Sequence, residues 1–371
     1  MQPERVLFLA QVNALQTIRK PKLEKSADTF PNTTRWYWRL LRAAGIALAL
    51  LTVLVGFLWW RLNATETNFS GAHFNQEQNA VWAEHAWVGE SHTPQEYDDL
   101  AALLRQEQIG YLFPHVGPLN GDGTIPLDLY PNAAAFVREM KSRLPNLKIL
   151  AWIGQIEKDG GGPLDMSNAQ TRANIAAEAR RFTQALGFDG IHYDIEPVHN
   201  LNPHFIDLLD ETRAAIGSSK VLSISAPKWA PAARVIPFVQ AISGRGTAWW
   251  TTYYFLIVSS HIDQLVVMMY NTALPTADLY ETLVKQETAH ILDANSHAQH
   301  PAQVLIGIPT YHDNGPGFHD SAENMFSGLR GVTAGLNSGE DTSHFGGIAI
   351  YPLWLTTESD WQTYNHLWLG E

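Results

Sequence analysis

The chain has no cysteine in its 371 residues, so no disulfide framework holds it, and its folded part must stand on a buried core alone. Positive charge is scarce too, with 25 Lys and Arg against 37 Asp and Glu and a formal net charge of −12. That is the wrong sign for a nucleic-acid surface, and no nucleic-acid partner is expected. Charged residues of both kinds make up only 17%, against 45% hydrophobic, a balance typical of globular rather than disordered chains. Two motifs are missing as well. No G-x-G-x-x-G turn follows the first expected strand, which weighs against a doubly wound dinucleotide fold. No G-x-S-x-G turn surrounds Ser223 or Ser225, which weighs against a serine hydrolase. Metal ligation lacks its set: His290, His297 and His300 lie on or after one expected helix, and His312 with Asp313 has no third ligand. No metal and no other cofactor is expected.

Aromatic side chains, by contrast, are plentiful, with 13 Trp and 12 Tyr. Most serve as core filler, and some offer flat faces for sugar rings. One stretch has no charge at all: between Arg42 and Arg61 the sequence runs A-A-G-I-A-L-A-L-L-T-V-L-V-G-F-L-W-W. Eighteen helical residues span roughly 27 Å, close to a bilayer core. Trp36, Tyr37 and Trp38 precede the run, and Trp59 and Trp60 close it, as interfacial aromatics do. Eight Lys or Arg against three acids precede it, so the positive-inside rule keeps the amino terminus in the cytoplasm and exports the rest. A cleaved signal peptide with secretion is the alternative, but the run is long for one and no clear small-x-small site follows Trp60. The expected organisation is a basic cytoplasmic segment over 1–42, a single transmembrane anchor in the lipid bilayer over 43–60 and a polar linker over 61–78. A folded domain over 79–371 then faces the periplasm or cell surface. Beyond Arg61 sixteen bases meet thirty-four acids, a formal charge of about −18.

Within that domain strand-like and helix-like segments alternate. Expected strands lie at Ala80–Trp82, Tyr111–Val116, Leu147–Gly154, Gly190–Glu196, Val221–Ala226, Leu265–Tyr270, Val304–Pro309 and Gly347–Tyr351. The intervening helices include Pro94–Gln108, Asn132–Leu144, Asn168–Leu186, Pro203–Ile216, Trp250–His261, Ala277–Ala294 and Ala322–Leu336, with Asp360–Leu369 at the end. Such alternation implies a parallel sheet, and eight repeats close into a (β/α)8 TIM barrel of the α/β class.

The fourth strand carries the densest chemistry, in Phe188 to Pro197, F-D-G-I-H-Y-D-I-E-P. Alternate strand residues face opposite sides, so Ile191, Tyr193 and Ile195 share an apolar face and His192, Asp194 and Glu196 share the other. Glu196 falls at the carboxyl end, where barrel enzymes place their reacting groups. The run resembles the D-G-x-D-x-D-x-E signature of glycoside hydrolase family 18, the chitinase-like enzymes. Asp189, Gly190, Asp194 and Glu196 stand on its positions, Asp189 and Gly190 as structural members of the motif. His192 departs from it, standing where the family has an inner aspartate. An imidazole there can donate a hydrogen bond to Asp194 and hold it ionised.

The resemblance implies a retaining glycoside hydrolase acting on a polymer or oligomer of 2-acetamido sugars, whether chitin-like, peptidoglycan or poly-N-acetylhexosamine. In that family the substrate's own acetamido oxygen is the nucleophile. Carried over, Glu196 is the general acid and then base, Asp194 orients the acetamido group, and Tyr270 in V-V-M-M-Y-N donates its hydroxyl to the acetamido oxygen. Asn271 binds sugar, Tyr351 or Trp354 forms an aromatic floor, and Trp152, Gln155 and Trp229 lie at the rim. Two other readings stay open: a catalytically silent, lectin-like barrel, and a glycosidase of another barrel family with paired carboxylates.

Overall fold

The computed structural model describes residues 33–62 and 70–371, except 238–247, 313, 316 and 340. Most of the basic segment, linker residues 63–69 and Asp313 therefore lie outside the described residues. The chain divides into two compact units, 1–62 and 63–371. In the first, α1 (Thr33–Leu62) is one helix of 30 residues. All its described side chains are exposed, including Leu48, Leu50 and Val53 at 65%, 65% and 69%. Among the described residues no helix is long and apolar enough to cross a membrane. The spanning helix expected over 43–60 is thus not obtained among them, and the side chains at 54 and 57–60 that belong to that run lie outside the described residues.

In the second unit eight parallel strands close on themselves. They are β1 (Asn79–Ala83), β2 (Ile109–Pro118), β3 (Lys148–Ile156), β4 (Gly190–Glu196), β5 (Val221–Ala226), β6 (Gln264–Met268), β7 (Gln303–Pro309) and β8 (Phe345–Tyr351). Each strand lies beside its sequence neighbours, and β1 closes on β8 with Ala80 opposite Ala349. A helix follows every strand: α2 (Pro94–Gln106), α3 (Ala133–Arg143), α4 (Ala169–Arg180), α5 (Pro203–Ile216), α6 (Thr252–Ser259), α7 (Ala277–Ser296), α8 (Met325–Leu336) and α9 (Glu358–Tyr364). Short polar residues start several of them. Thr93 and Glu96 form a reciprocal cap on α2, and Asn202 accepts from the His204 and Phe205 amides at the head of α5. The helix expected over Trp250–His261 is shorter, because Trp249–Trp250 instead pairs in parallel with Lys228–Trp229 as a small separate ribbon.

Strand alternation splits the core in two. Outward residues such as Ile149, Ala151, Ile153, Ile191, Tyr193 and Ile195 join the helices in one large apolar layer. Inward residues Ala80, Trp82, Phe113, Leu150, Trp152, Val266, Leu305 and Ala349 fill the barrel itself, as expected of a packed interior rather than a pore. The buried residues of both layers all come from beyond the linker, with Phe74 of the linker packed against the larger one, so the second unit contains its own core.

Two polar residues tie the amino ends of the strands. The Asn79 side chain is fully buried; its Oδ1 accepts from the Ile348 amide at 3.0 Å and the Trp368 indole at 2.9 Å, binding β1 to β8 and to the carboxyl-terminal turn. Asp189 accepts from the Ile149 amide at 2.8 Å and pairs with Lys141 of α3 at 2.6 Å. Gly190 beside it has no room for a side chain, since a Cβ there would sit 2.0 Å from the Val221 carbonyl oxygen of β5. Gly190→Ala must push two paired strands apart, and is expected to destabilise the barrel by about 3 kcal/mol. Urea unfolding checks this, and an unchanged midpoint would show that β5 can give way.

Candidate active site

β4 builds the site from the floor upward. Its inward side chains climb from fully buried His192, through half-buried Asp194, to Glu196 at the open mouth. Glu196 reaches solvent on one side but is otherwise packed about with protein. That enclosure and the charge of Asp194 push its pKa up to about 8, against the opposing pull of Lys228. Burial also raises Asp194, while hydrogen bonds from Ser225 and Trp152 hold it down. The Trp152 indole donates to Asp194 Oδ2 at 3.0 Å. Asp194 Oδ1 is buried and has no partner among the described residues.

His192 does not do what its position suggested. The Trp82 indole N–H, which can only donate, reaches His192 Nε2 at 3.0 Å, so Nε2 is an acceptor. The ring proton is then on Nδ1 and is donated to Ser223 Oγ at 2.8 Å, and Ser223 passes its own proton to Gln264 Oε1 at 2.8 Å. No hydrogen bond runs from His192 to Asp194, and burial drops the imidazole pKa to about 3, so the ring is neutral. Phe113 stacks flat on it at 4.2 Å. Ser225 Oγ lies 3.1 Å from the same Nε2, beside the Trp82 indole. His192 is thus a neutral floor group with no hydrogen bond of its own to Asp194.

Aromatic rings line the mouth above. Tyr270 follows β6 and stacks on Tyr351 at 5.1 Å with the rings 15° apart. Tyr351 also meets Trp82, Trp152 and Tyr311 edge-on. Of the two candidate floor rings it is therefore Tyr351 that reaches the centre. Trp354 lies further out, 6.1 Å from Tyr351 and 42% exposed, where it lines a side groove of about 450 Å³ with Trp87 and Trp361. Asn271 is at the rim, its Oδ1 accepting from the Tyr311 hydroxyl at 2.9 Å.

Two expected rim residues are not brought in. Gln155 belongs to the outward set of β3, by alternation from Trp152; its amide donates to the Leu119 carbonyl and its Oε1 accepts from the Ile156 amide. Trp229 turns away onto α7, stacking on His290 at 4.2 Å, with its indole bound to Thr252. Its neighbour Lys228 takes the inward place. The Lys228 ammonium is buried and donates to the Tyr270 carbonyl at 2.6 Å. Burial lowers its pKa, opposed by the charges of Glu323, Glu287 and Glu196 around it. Lys228, Tyr311, Glu287 and Glu323 were all missed from the sequence. Only Glu287 left a signal, as an acid at helical spacing from the apolar Tyr280, Val284 and Ile291 of α7. Among the described residues no group of three or more His, Asp or Glu could hold a metal ion.

Residues 86–352 match glycosyl hydrolases family 18. No curated protein matches the chain. Among solved structures it is similar to the spore cortex-lytic enzyme SleL of Bacillus cereus, at 13% identity over 78% of this chain and 74% of that one, with a TM-score of 0.54. It is likewise similar to a class V chitinase of Pseudomonas fluorescens Pf-5, at 16% identity over 77% of this chain and 98% of that one, with a TM-score of 0.53. At such identities these two likenesses speak to the fold alone.

Replacing His192 with Asp would put a carboxyl between Trp82 and Asp194 in a sealed floor. We expect a loss of about 3 kcal/mol at pH 7, the size typical of an uncompensated buried charge. The introduced group would have a folded pKa above its unfolded value of about 3.9, so its ionisation penalty should be absent below that value and grow as pH rises toward the folded one. Chemical denaturation across pH measures it against His192→Asn, which also lacks the imidazole and its low pKa. A pH-independent difference between the two variants would mean that the new carboxyl is not desolvated.

Proposed function

Because the chain belongs to glycosyl hydrolase family 18, we propose that it cleaves polymers or oligomers of 2-acetamido sugars with retention, using the substrate's acetamido oxygen as nucleophile. That it is a glycoside hydrolase follows from the family; the sugar and the mechanism are our reading. One observation carries it. On a single strand a carboxyl raised to about 8 stands directly above a second whose buried Oδ1 has no partner among the described residues. The first is protonated at neutral pH and can act as an acid. The second is an acceptor whose desolvation is unrewarded until a donor arrives, and the N–H of an acetamido group is such a donor.

In this reading Glu196 gives its proton to the glycosidic oxygen as the bond to the anomeric carbon breaks. The acetamido carbonyl oxygen forms the new bond to that carbon, and the aglycone leaves as an alcohol. Asp194 holds the acetamido N–H and faces the positive charge that develops on the cyclised ring. The Tyr270 hydroxyl is held protonated, since burial and then the nearby Asp194 push it well above its usual value. It can therefore donate to the acetamido oxygen. Glu196, now a carboxylate, takes a proton from the water that opens the ring, which restores both the acid and the starting configuration. Tyr351 is the better placed floor for the sugar face, and Asn271 the better placed polar contact.

Glu196→Gln should lower hydrolysis of a chitin-type oligosaccharide by about 10²–10⁴-fold while leaving the fold intact. A thiazoline analogue of the cyclised ring should inhibit, and Asp194→Asn should weaken that inhibitor more than the intact substrate. Activity of Glu196→Gln within twofold of wild type would remove Glu196 from the role. Equal cleavage of deacetylated glycans, with no thiazoline inhibition, would sink the substrate-assisted mechanism.

We further propose that the domain is held at a bilayer by 43–60 and faces away from the cytoplasm. In support, α1 shows apolar side chains exposed around its whole described circumference. A helix apolar on every side finds no favourable place in water. Cell fractionation should return the full-length chain with membranes and resistant to a carbonate wash. A soluble product beginning after Trp60 would replace the anchor by a cleaved signal.

A further inference from the structure

The turn that follows β6 is held in an unusual backbone shape. Asn271 and Ala273 have φ of 54° and 58°, a left-handed conformation that residues with a Cβ adopt at a cost. Three side chains and one amide fasten the turn. The Lys228 ammonium donates to the Tyr270 carbonyl at 2.6 Å, from the ribbon that follows β5. Glu323, just ahead of α8, accepts on Oε1 from both the Thr272 amide at 2.8 Å and the Thr272 hydroxyl. The Tyr311 hydroxyl donates to Asn271 Oδ1, and the Ala273 amide to the Gly317 carbonyl at 2.9 Å. Lys228 and Glu323 are both buried, and Glu323 Oε2 has no partner among the described residues.

Lys228 is also where three elements bring their charge together. The charges of Glu323 just ahead of α8, Glu287 on α7 and Glu196 at the end of β4 all act on it. Glu287 is occupied by the Trp229 amide at 2.6 Å, and Glu323 by Thr272. Among the described residues no backbone amide binds the Glu196 carboxyl, and the charges that act on it are Asp194 on its own strand and Lys228 across the mouth. Tyr270 and Tyr351 are the remaining titratable groups that feel Glu196.

We propose that Lys228 is a positioning residue of the hydrolytic site: with Glu323 it locks the turn that carries Tyr270 and Asn271, and it supplies the buried positive charge opposite Glu196. This rests on the hydrolase mechanism proposed above. One ammonium then performs two tasks. It fixes the backbone that aims the Tyr270 hydroxyl, and it favours the carboxylate form of Glu196 in the second half of the reaction. Within a turnover Glu196 must give up a proton and recover it, and a buried counter-charge keeps its two states close in energy.

The test uses the full-length chain in detergent, with wild type, Lys228→Met and Thr272→Val compared on a chitin-type oligosaccharide across pH. Lys228→Met should lower kcat by about 10²-fold, as a displaced contact group does. It should also move the alkaline limb of kcat upward by about one pH unit, because an acid that loses a nearby cation holds its proton to higher pH. Thr272→Val loosens the turn but keeps every charge, so kcat and thiazoline affinity should fall with the limb unmoved. Either an unmoved limb or a kcat within twofold of wild type in folded Lys228→Met overturns the proposal. Should Lys228→Met not fold, Thr272→Val decides, and a kcat within twofold of wild type there overturns it equally. Titration of the Glu196 carboxyl by 13C NMR, assigned by its absence in Glu196→Gln, needs no turnover. If wild type hydrolyses no 2-acetamido glycan, the hydrolase reading fails on its own, while an unshifted Glu196 titration in Lys228→Met counts against Lys228 alone.

Discussion

Removing a carboxyl from water makes its ionised form expensive, and at Glu196 that expense, with the charge of Asp194 beside it, raises the pKa to about 8. Much of the barrel interior can be understood as a response to this one desolvation. An acid must be enclosed to be raised but open to meet a substrate, and the carboxyl end of a barrel strand meets both demands. Asp194, one inward step below, cannot be left equally bare without adding a second unpaired charge, and the Trp152 indole and the Ser225 hydroxyl restrain it. Lys228 arrives from another element, and its positive charge opposes the rise at Glu196.

Beneath these charged groups the floor is polar but neutral. A chain of donors runs from Trp82 through His192 and Ser223 to Gln264, with each proton committed in one direction. From there Gln264 donates to Gln303, which in turn donates to Gln78. Such a chain satisfies polar atoms without bringing a second ionised group close to Asp194. An imidazole suits this place because, once neutral, it is a donor at one nitrogen and an acceptor at the other. His192 therefore leaves the floor uncharged beneath the two carboxyls.

The amino ends of the strands do a different job. Gly190 lets β5 approach closely, Asp189 ties β3 and α3 to β4, and Asn79 ties β1 to β8. None of these touches the mouth. They hold the register on which inward placement of His192, Asp194 and Glu196 depends, because a one-residue slip would turn all three outward.

By itself the sequence determined the parts that follow from periodicity and local chemistry. The structural places of Asp189 and Gly190 came from the motif's resemblance to the family signature, while eight strands with helices between them, the inward face of β4 and the closed parallel barrel could be read from alternation and turn residues. So could Tyr270, whose inward place follows from Val266 and Met268 before it. What it left undecided were contacts made by residues far apart in the chain. Gln155 and Trp229 look like rim residues by position, but one points to the outer face and the other packs on α7. Lys228 carries no local mark of its role, since the Tyr270 carbonyl lies 42 residues away and Glu323 further still. The partner of His192 was equally hidden, because Trp82 stands 110 residues earlier on β1. Strand alternation tells which face a side chain takes, and only closure of the barrel decides which neighbours it finds there.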